Sequence, residues 1–598
     1  HSRKRLDRTF RCSPEIAKRL SPRKNDNNVH DKYFRAGNLL KIGWPSINVL
    51  SSSDYKYVAL TDYDRWPDDV DGEGDGFSLA SKRTTTFMSA GMTLVESSPG
   101  KDIVDIKHHP KTTHEAPPTT GILSLYNRGD RRRFYWQCPH CKEWFEPSMA
   151  NMVGYRSDTD YVKASENARL QCPHCQSLVD PDKKRALNIG GKWLKEGQTI
   201  DKDGVIHGEG RNSRIASFWL EGPAAAYQTW AQLTYKLLNA EHEFEMTGSE
   251  ETLKAVTNTD WGLPYLPRSA LEQRRSDELM ERREETEKRT VPYGCRFLLA
   301  AVDVQGGRNR RFVVQIVGYG ENSERWLIDR YNIKSSMRSN SEGESLPIEP
   351  SAYPEDWDLL ISDVLNKQYR IEGLDGGFMP ILAMAVDSGG ENGVTDNAYK
   401  FWRRCKRDGI SKRVYLVKGD STKRQKLISR TYPDNTSRSD RHAQARGDVP
   451  LYLLQTDQLK DRISNALSRE TIGANYIHFP SWLGEWFFDE LTYEERGQDG
   501  KWRKPGKGNN EAFDLFCYAH AIAILRGYER IKWGDEDNVP YWAKLPGLNP
   551  DVIRKETTAP EEETESAVEI EQVKLQPKPK TKSNWLNGGV SKKKGGWL

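Results

Sequence analysis

Two identical tetrads, Cys138-Pro139-His140-Cys141 and Cys172-Pro173-His174-Cys175, constrain this chain more than any other feature. A C-x2-C turn delivers two thiolates from one tight bend. Two such turns complete a closed tetrahedral zinc site, so residues 138–175 are expected to fold around one structural Zn2+ held by Cys138, Cys141, Cys172 and Cys175. The rival reading is a thiol-oxidoreductase centre, which needs a single tetrad in a thioredoxin-like βαβ setting. The sequence offers neither. The other cysteines, Cys12, Cys295, Cys405 and Cys517, are scattered, a reducing-compartment pattern rather than a disulfide framework. Arg131, Arg132 and Arg133, with Trp136, flank the first knuckle. They form either a substrate-binding edge that touches phosphates or a solvated charged strand.

At 598 residues the chain is long enough for three or four domains. Its first residue is His1, so it is expected to be trimmed or a fragment. No apolar run is long enough to span a membrane, and the basic N-terminus lacks the core of a signal peptide. The net charge of +4 neither demands nor excludes nucleic acid. The hydrophobic pattern predicts a multidomain α/β chain. Residues 1–115 contain strand-like runs at Tyr57–Leu60 and Met92–Val95, and the Pro, Thr and His-rich segment 110–120 reads as a linker. Residues 121–190 hold the zinc ribbon, and residues 191–292 read as a mostly helical linker. Residues 293–530 carry strands at hairpin spacing followed by α/β alternation, the order of an RNase H-like domain. Residues 549–598 read as a disordered, low-complexity tail, acidic and then basic.

Three aspartates end or begin the apolar elements of that domain. Asp303 closes Val302-Asp303-Val304-Gln305-Gly306, and Asp387 closes Ala385-Val386-Asp387-Ser388-Gly389-Gly390. Asp514 opens an apolar helix in Asn510-Glu511-Ala512-Phe513-Asp514. Any one of them is an ordinary strand-end or helix-start residue. Together they match the oxygen-only ligand set by which two Mg2+ or Mn2+ ions cleave a phosphodiester. Glu511 lies one helical turn before Asp514 and is a fourth candidate or a helix-start charge. Lys418, in Val417-Lys418-Gly419, is placed to meet a phosphate. His478 and Glu490 are weaker candidates that read more readily as structural.

An ATP-driven motor needs a phosphate-binding loop, GxxxxGK[ST], and the sequence contains none. What remains resembles the downstream half of an ATPase core. Tyr57–Leu60 leads into Thr61-Asp62-Tyr63-Asp64 like a strand with acids at its end. Glu96-Ser97-Ser98-Pro99 would couple to the γ-phosphate through Ser97 and Ser98. Each motif is also ordinary strand-end chemistry.

The ordered set of motifs resembles the GpA-type, lambda-like terminase large subunits of tailed phages. It runs from Asp64-Arg65-Trp66-Pro67 and Gly72-Glu73-Gly74 through Ser97-Ser98-Pro99 and the paired tetrads to Asn258-Thr259 and Gly262-Leu263-Pro264. It continues through Val302–Gln305, Val386–Gly390, Val417–Gly419 and His478-Phe479-Pro480 to Asn510-Glu511 and Asp514, spanning about residues 35 to 525. The resemblance implies an endonuclease that cuts concatemeric double-stranded phage DNA, coupled to ATP-driven translocation into a procapsid. It implies a small-subunit partner, a portal protein, a homo-oligomeric motor, a host-cytoplasmic location and portal-docking residues (Trp585, Leu586, Trp597 and Leu598) in the tail. The family's phosphate loop would lie upstream of His1. Its Asp-Glu pair aligns with Thr61-Asp62, which leaves Asp62 as the candidate acid for ATP chemistry.

Two other readings use the same residues: an RNase H-like recombinase, and a packaging scaffold with a degenerate site. The ATPase-like start and the cysteine tetrads weigh against the first, and metal-dependent nicking separates the second. Without a lysine in a Gly-rich loop, this chain alone is expected not to turn over ATP efficiently. Robust phosphate release that Asp62→Ala abolishes would reveal an overlooked phosphate loop.

Overall fold

Strand β6 (Phe297–Gln305) is buried along all but its last residue, as expected for a strand covered on both faces. The computed structural model in which it lies describes residues 2–555, apart from 24–25, 29, 52, 106–107, 269–274, 391, 421–425, 434–446 and 498–499.

In chain order, β1 (Tyr57–Leu60) and β2 (Met92–Val95) pair in parallel over a small core of Leu50, Leu60, Tyr63, Val70 and Leu79. Next, β3 (Arg132–Gln137) lies between β4 (Lys192–Leu194), antiparallel to it, and β5 (Phe218–Trp219), parallel to it. Helices α1 (Trp230–Thr247) and α2 (Glu251–Thr259) pack on this unit around Trp136, Leu170, Trp230 and Trp261. A reciprocal capping box between Thr229 and Gln232 starts α1, and Gly248, at φ 70, ends it.

The large sheet begins at β6. It continues through β7 (Arg311–Tyr319) and β8 (Arg325–Ile333), each antiparallel to the strand before. The chain then crosses to β9 (Gly377–Asp387), which lies parallel to β6 on its other side. After helix α3 (Val394–Arg407) come β10 (Val414–Gly419) and β11 (Leu451–Leu454), extending the sheet in parallel. Helix α4 (Thr456–Leu467), strand β12 (Ile477–Pro480, beside β8), and helices α5 (Glu485–Thr492) and α6 (Glu511–Leu525) complete it. Alternate residues of β6 serve two cores. Leu299 and Ala301 pack with Leu459, Ile463, Phe513 and Phe516 on the α4–α6 side. Leu298, Ala300 and Val302 pack with Trp357, Val394 and Phe401 on the α3 side.

Helix α6 is buried along most of its length from Glu511 to Ala523, which explains its nearly unbroken apolar composition. The antiparallel triplet followed by parallel strands has the order read from the sequence, and the apolar helix expected at Asp514 is α6.

Three expectations need correction. Residues 191–292 are not mostly helical, because 192–194 and 218–219 are strands. The aromatics Trp193 and Phe218 pack against each other, and Trp193 against Phe134, which favours pairing with β3 over helix formation. Segment 110–120 is not a loose linker: His114 is buried, bonded to the Arg131 carbonyl and the Tyr135 hydroxyl, and Ala116 is sealed against Asn127. The expected tail starts too early, since Asn549 donates to the carbonyls of Arg296 and Trp542 and Ile553–Arg554 pairs with β9. Residues 556–598 lie outside the described residues, as do residues 269–274 of the expected helical linker.

Phe297 stacks on Tyr319 at 5.3 Å and meets Tyr528 and Trp542 edge-on. Phe297→Ala is therefore expected to cost about 3–5 kcal/mol, read by thermal or denaturant unfolding. A loss below about 1 kcal/mol would show that this cluster tolerates the vacancy.

Candidate active site

The strand register brings the first two aspartates together. Val302 of β6 pairs with Val386 of β9, so Asp303 and Asp387 follow as neighbours on adjacent parallel strands. Helix α6 packs across both strands and presents Asp514 from its first turn. Burial, and then the charge of Asp387, push the Asp303 carboxyl up to about 7; Asp514 and Glu511 add to the effect. Asp387 is also raised, chiefly by burial and also by Asp514, while Lys418 and the backbone N–H of Gly389 oppose the rise. Lys418 stands exposed at the end of β10, one step beyond the Asp387–Val417 pair.

Each carboxylate is held by a neighbour. The Gln305 amide donates to Asp303 Oδ2. Gly389 N–H donates to Asp387 Oδ1 at 2.9 Å. Arg311 donates to Glu511 Oε1 at 2.8 Å, while Oε2 of this buried side chain has no hydrogen-bond partner among the described residues. Asp514 is bound on both oxygens: Asn510 donates to Oδ2 at 2.7 Å, and Lys460 Nζ lies 2.8 Å from Oδ1. Lys460 is buried and also pairs with buried Glu494. Burial opposes its charge, but Asp514 and Glu494 together hold it above the usual lysine range. Sequence reasoning missed Lys460 and Glu494. The signal was present: Lys460 lies on the apolar stripe of α4 with Leu459, Ile463 and Leu467, where a lysine needs a buried partner.

The cysteine tetrads converge. All four sulfurs lie within 4.8 Å of one another, with Cys138–Cys175 at 3.8 Å and Cys141–Cys172 at 3.9 Å. The knuckles share one backbone design. Cys138 N–H donates to Glu143 O and Lys142 N–H to Cys138 O; Cys172 with Ser177 and Gln176 with Cys172 repeat it. The residue after each second cysteine is left-handed, Lys142 at φ 65 and Gln176 at φ 61. Hydrogen bonds from Ser177 bring the Cys175 thiol down to about 6, while burial raises Cys138 and Cys172. Among the described residues this is the one group of three or more drawn together as potential ligands of a single ion.

Elsewhere the predicted site residues are placed differently. The arginines are not an open phosphate edge, because carboxylates inside the fold already claim them. Arg131 pairs with Glu115 and Glu196, and Arg132 with Asp130. Arg133 is buried between Glu146 and Glu221, 4.0 Å over the Trp219 ring. His478 is bracketed by Glu284 and Glu324, and Glu490 is paired to Arg330. After β1, Asp62 is exposed at φ 52, whereas Asp64 is the hub. Asp64 Oδ2 accepts from Gly100 and Lys101 N–H, and Oδ1 from Ile122 N–H; its own N–H donates to Ser97 Oγ, which in turn donates to Ser98 O. A Cβ on Gly121 would lie 2.1 Å from Asp64 Oδ1, so that approach requires glycine.

Comparison with known proteins decides the lineage. The family model described as terminase large subunit gpA, endonuclease domain, matches residues 215–533, and the phage terminase large subunit gpA ATPase domain matches residues 1–193. The chain belongs to the gpA family of phage terminase large subunits. The terminase large subunit of Escherichia phage lambda is 26% identical over 316 residues, covering 50% of this chain and 42% of that protein, so the chain spans less than half of this relative's length. The large terminase of a thermophilic bacteriophage overlaps 47% of this chain and 51% of its own at 14% identity, with a TM-score of 0.23, too low to carry an argument. In this gpA-family chain the aspartate cluster falls within the endonuclease match and the cysteine cluster within the ATPase match. Among the described residues, no helix is long and apolar enough to cross a membrane.

Lys460→Met would leave Glu494 buried with Asn510 as its remaining polar contact among the described residues. The variant is expected to lose about 3–5 kcal/mol in denaturant unfolding. Unchanged stability would mean that Glu494 takes up a proton at little cost.

Proposed function

We propose that this chain cuts double-stranded phage DNA through an RNase H-like nuclease site and that its ATPase part serves ATP-driven packaging. One observation carries the reading: Asp303, Asp387 and Asp514 gather at one end of the sheet, where burial, and then the charge of Asp387, lift Asp303 to about 7. Such an all-oxygen, electron-rich set suits hard divalent cations. Asp303, Asp387 and Asp514, with Glu511, would hold two Mg2+ or Mn2+ ions. Bound there, these would supply an activated water and charge stabilisation at the leaving oxygen of a phosphodiester.

The chain's own residues supply the preorganisation. Gln305, Gly389, Asn510 and Lys460 fix the three carboxylates, so little reordering is needed when substrate arrives. Gly389 and Gly390 keep the backbone low beside Asp387, and Lys418 offers a cation to a phosphate. The soft four-sulfur cluster suits a structural Zn2+ in a ribbon. Ser97, Ser98 and either Asp62 or Asp64 would belong to ATP coupling. A terminase small subunit, a portal protein and further copies of this chain are the expected partners.

Plasmid nicking in Mg2+ or Mn2+ is the test. Asp303→Asn is expected to lower the rate on the order of a thousand-fold without changing the circular dichroism spectrum. An Asn variant that nicks as fast as the parent would sink the nuclease assignment. The cysteine cluster makes its own prediction, about one zinc per chain by elemental analysis, lost together with thermal stability in Cys172→Ser. Metal-free protein with the same melting temperature would refute it.

A further inference from the structure

Register lays out a polar row beyond the aspartates. On the sheet face covered by α6, Asp303 of β6 is opposite Val313 of β7, which is opposite Asn332 of β8. One row further out, Gln305 pairs with Arg311, and Lys334 follows one step past the last β7–β8 pair. Helix α6 begins only at Glu511, so these outer rows lack its cover. A groove of about 400 Å³ opens there, walled by Arg311, Asn332, Lys334, Trp486 and Glu490.

Its chemistry is that of a phosphate track. Arg311 and Arg330 are balanced by Glu511 and Glu490, but the exposed Lys334 ammonium has no carboxylate partner among the described residues, which leaves the groove net positive. Asn332 adds an exposed amide donor. Trp486 is 51% exposed on α5, beside the Arg330 guanidinium, and gives the groove an aromatic wall. The groove lies two strands, about 10 Å, from Asp303. That places it within a few nucleotides of the acids along a DNA strand. Lys418 stands on their other flank, beyond Asp387.

Building on the nuclease reading, we propose that this groove seats the sugar-phosphate backbone of the duplex beside the cleavage point. Lys334 and Asn332 hold a phosphate, and Trp486 packs against the sugar. Arg311 reaches both regions: it clamps Glu511 and lines the groove, so DNA seated there touches the residue that orients one of the acids.

The test uses a fluorescent DNA duplex bound in Ca2+, with nicking assayed separately in Mg2+. Lys334→Glu and Trp486→Ala are each expected to weaken binding by at least about five-fold and to raise KM in parallel. Lys334→Glu should also lower the salt slope of log Kd by about one. Lys412→Glu makes the same charge change before the opposite end of β10 and should shift binding by less than about two-fold. If the parent nicks DNA while the Lys334 and Trp486 variants, folded normally, bind and cut as the parent does, the groove assignment is overturned. If the parent never nicks but its binding depends on Lys334 and Trp486 as described, the groove stands and the nuclease reading falls.

Discussion

The parallel pairing of β6 with β9 sets two carboxylates side by side in a largely buried environment, and much of the nuclease half is arranged around that cost. Parallel register leaves Asp303 and Asp387 no freedom to separate without slipping a strand, and a one-residue slip would turn each strand's core side chains to the wrong face. Charge of one sign is therefore concentrated where water is scarce. The surrounding fold answers with Lys460 from α4, the Gln305 amide, the Gly389 N–H and Arg311 from β7. These neighbours hold the carboxylates in place but do not neutralise them all, and that residual charge is what would draw a cation.

Much of this could be read from residues in order. The apolar runs ending at Asp303 and Asp387 were legible because buried parallel strands are nearly continuous in hydrophobicity, and α6 because it is apolar all round. The cysteine cluster was legible because a knuckle is a local structure: four residues and a backbone turn define it. Lys460 and Glu494 were not legible as a pair, since a tertiary ion pair leaves no local pattern, only an unexplained charge on an apolar stripe.

Arg131 and Arg133 misled because partners of each are distant in sequence. They resemble a phosphate-binding edge only while those partners are unseen, whereas the partner of Arg132 is Asp130, two positions away. Glu221, for example, lies 88 positions from the arginine it pairs with, and Glu115 and Glu196 both pair with Arg131. Asp62 and Asp64 were indistinguishable as acids following a strand. Only the fold reveals that three backbone amides, from Gly100, Lys101 and Ile122, converge on Asp64. Residues 192–219 lacked helix signals as much as they lacked strand signals, because strands of two and three residues are too short to show an alternation.

The short strand β5 has a consequence for dividing the chain. Phe218 and Trp219 lie inside the endonuclease match, yet they pair with Arg132 and Arg133, which lie inside the ATPase match. The Arg133–Glu221 ion pair and the Arg133–Trp219 stack bridge the same boundary. The two matched regions thus share the small sheet around β3, which is separate from the large sheet built on β6. Separating them near residue 215 would strip a strand from β3 and open an edge with unpaired backbone groups, a surface prone to self-association.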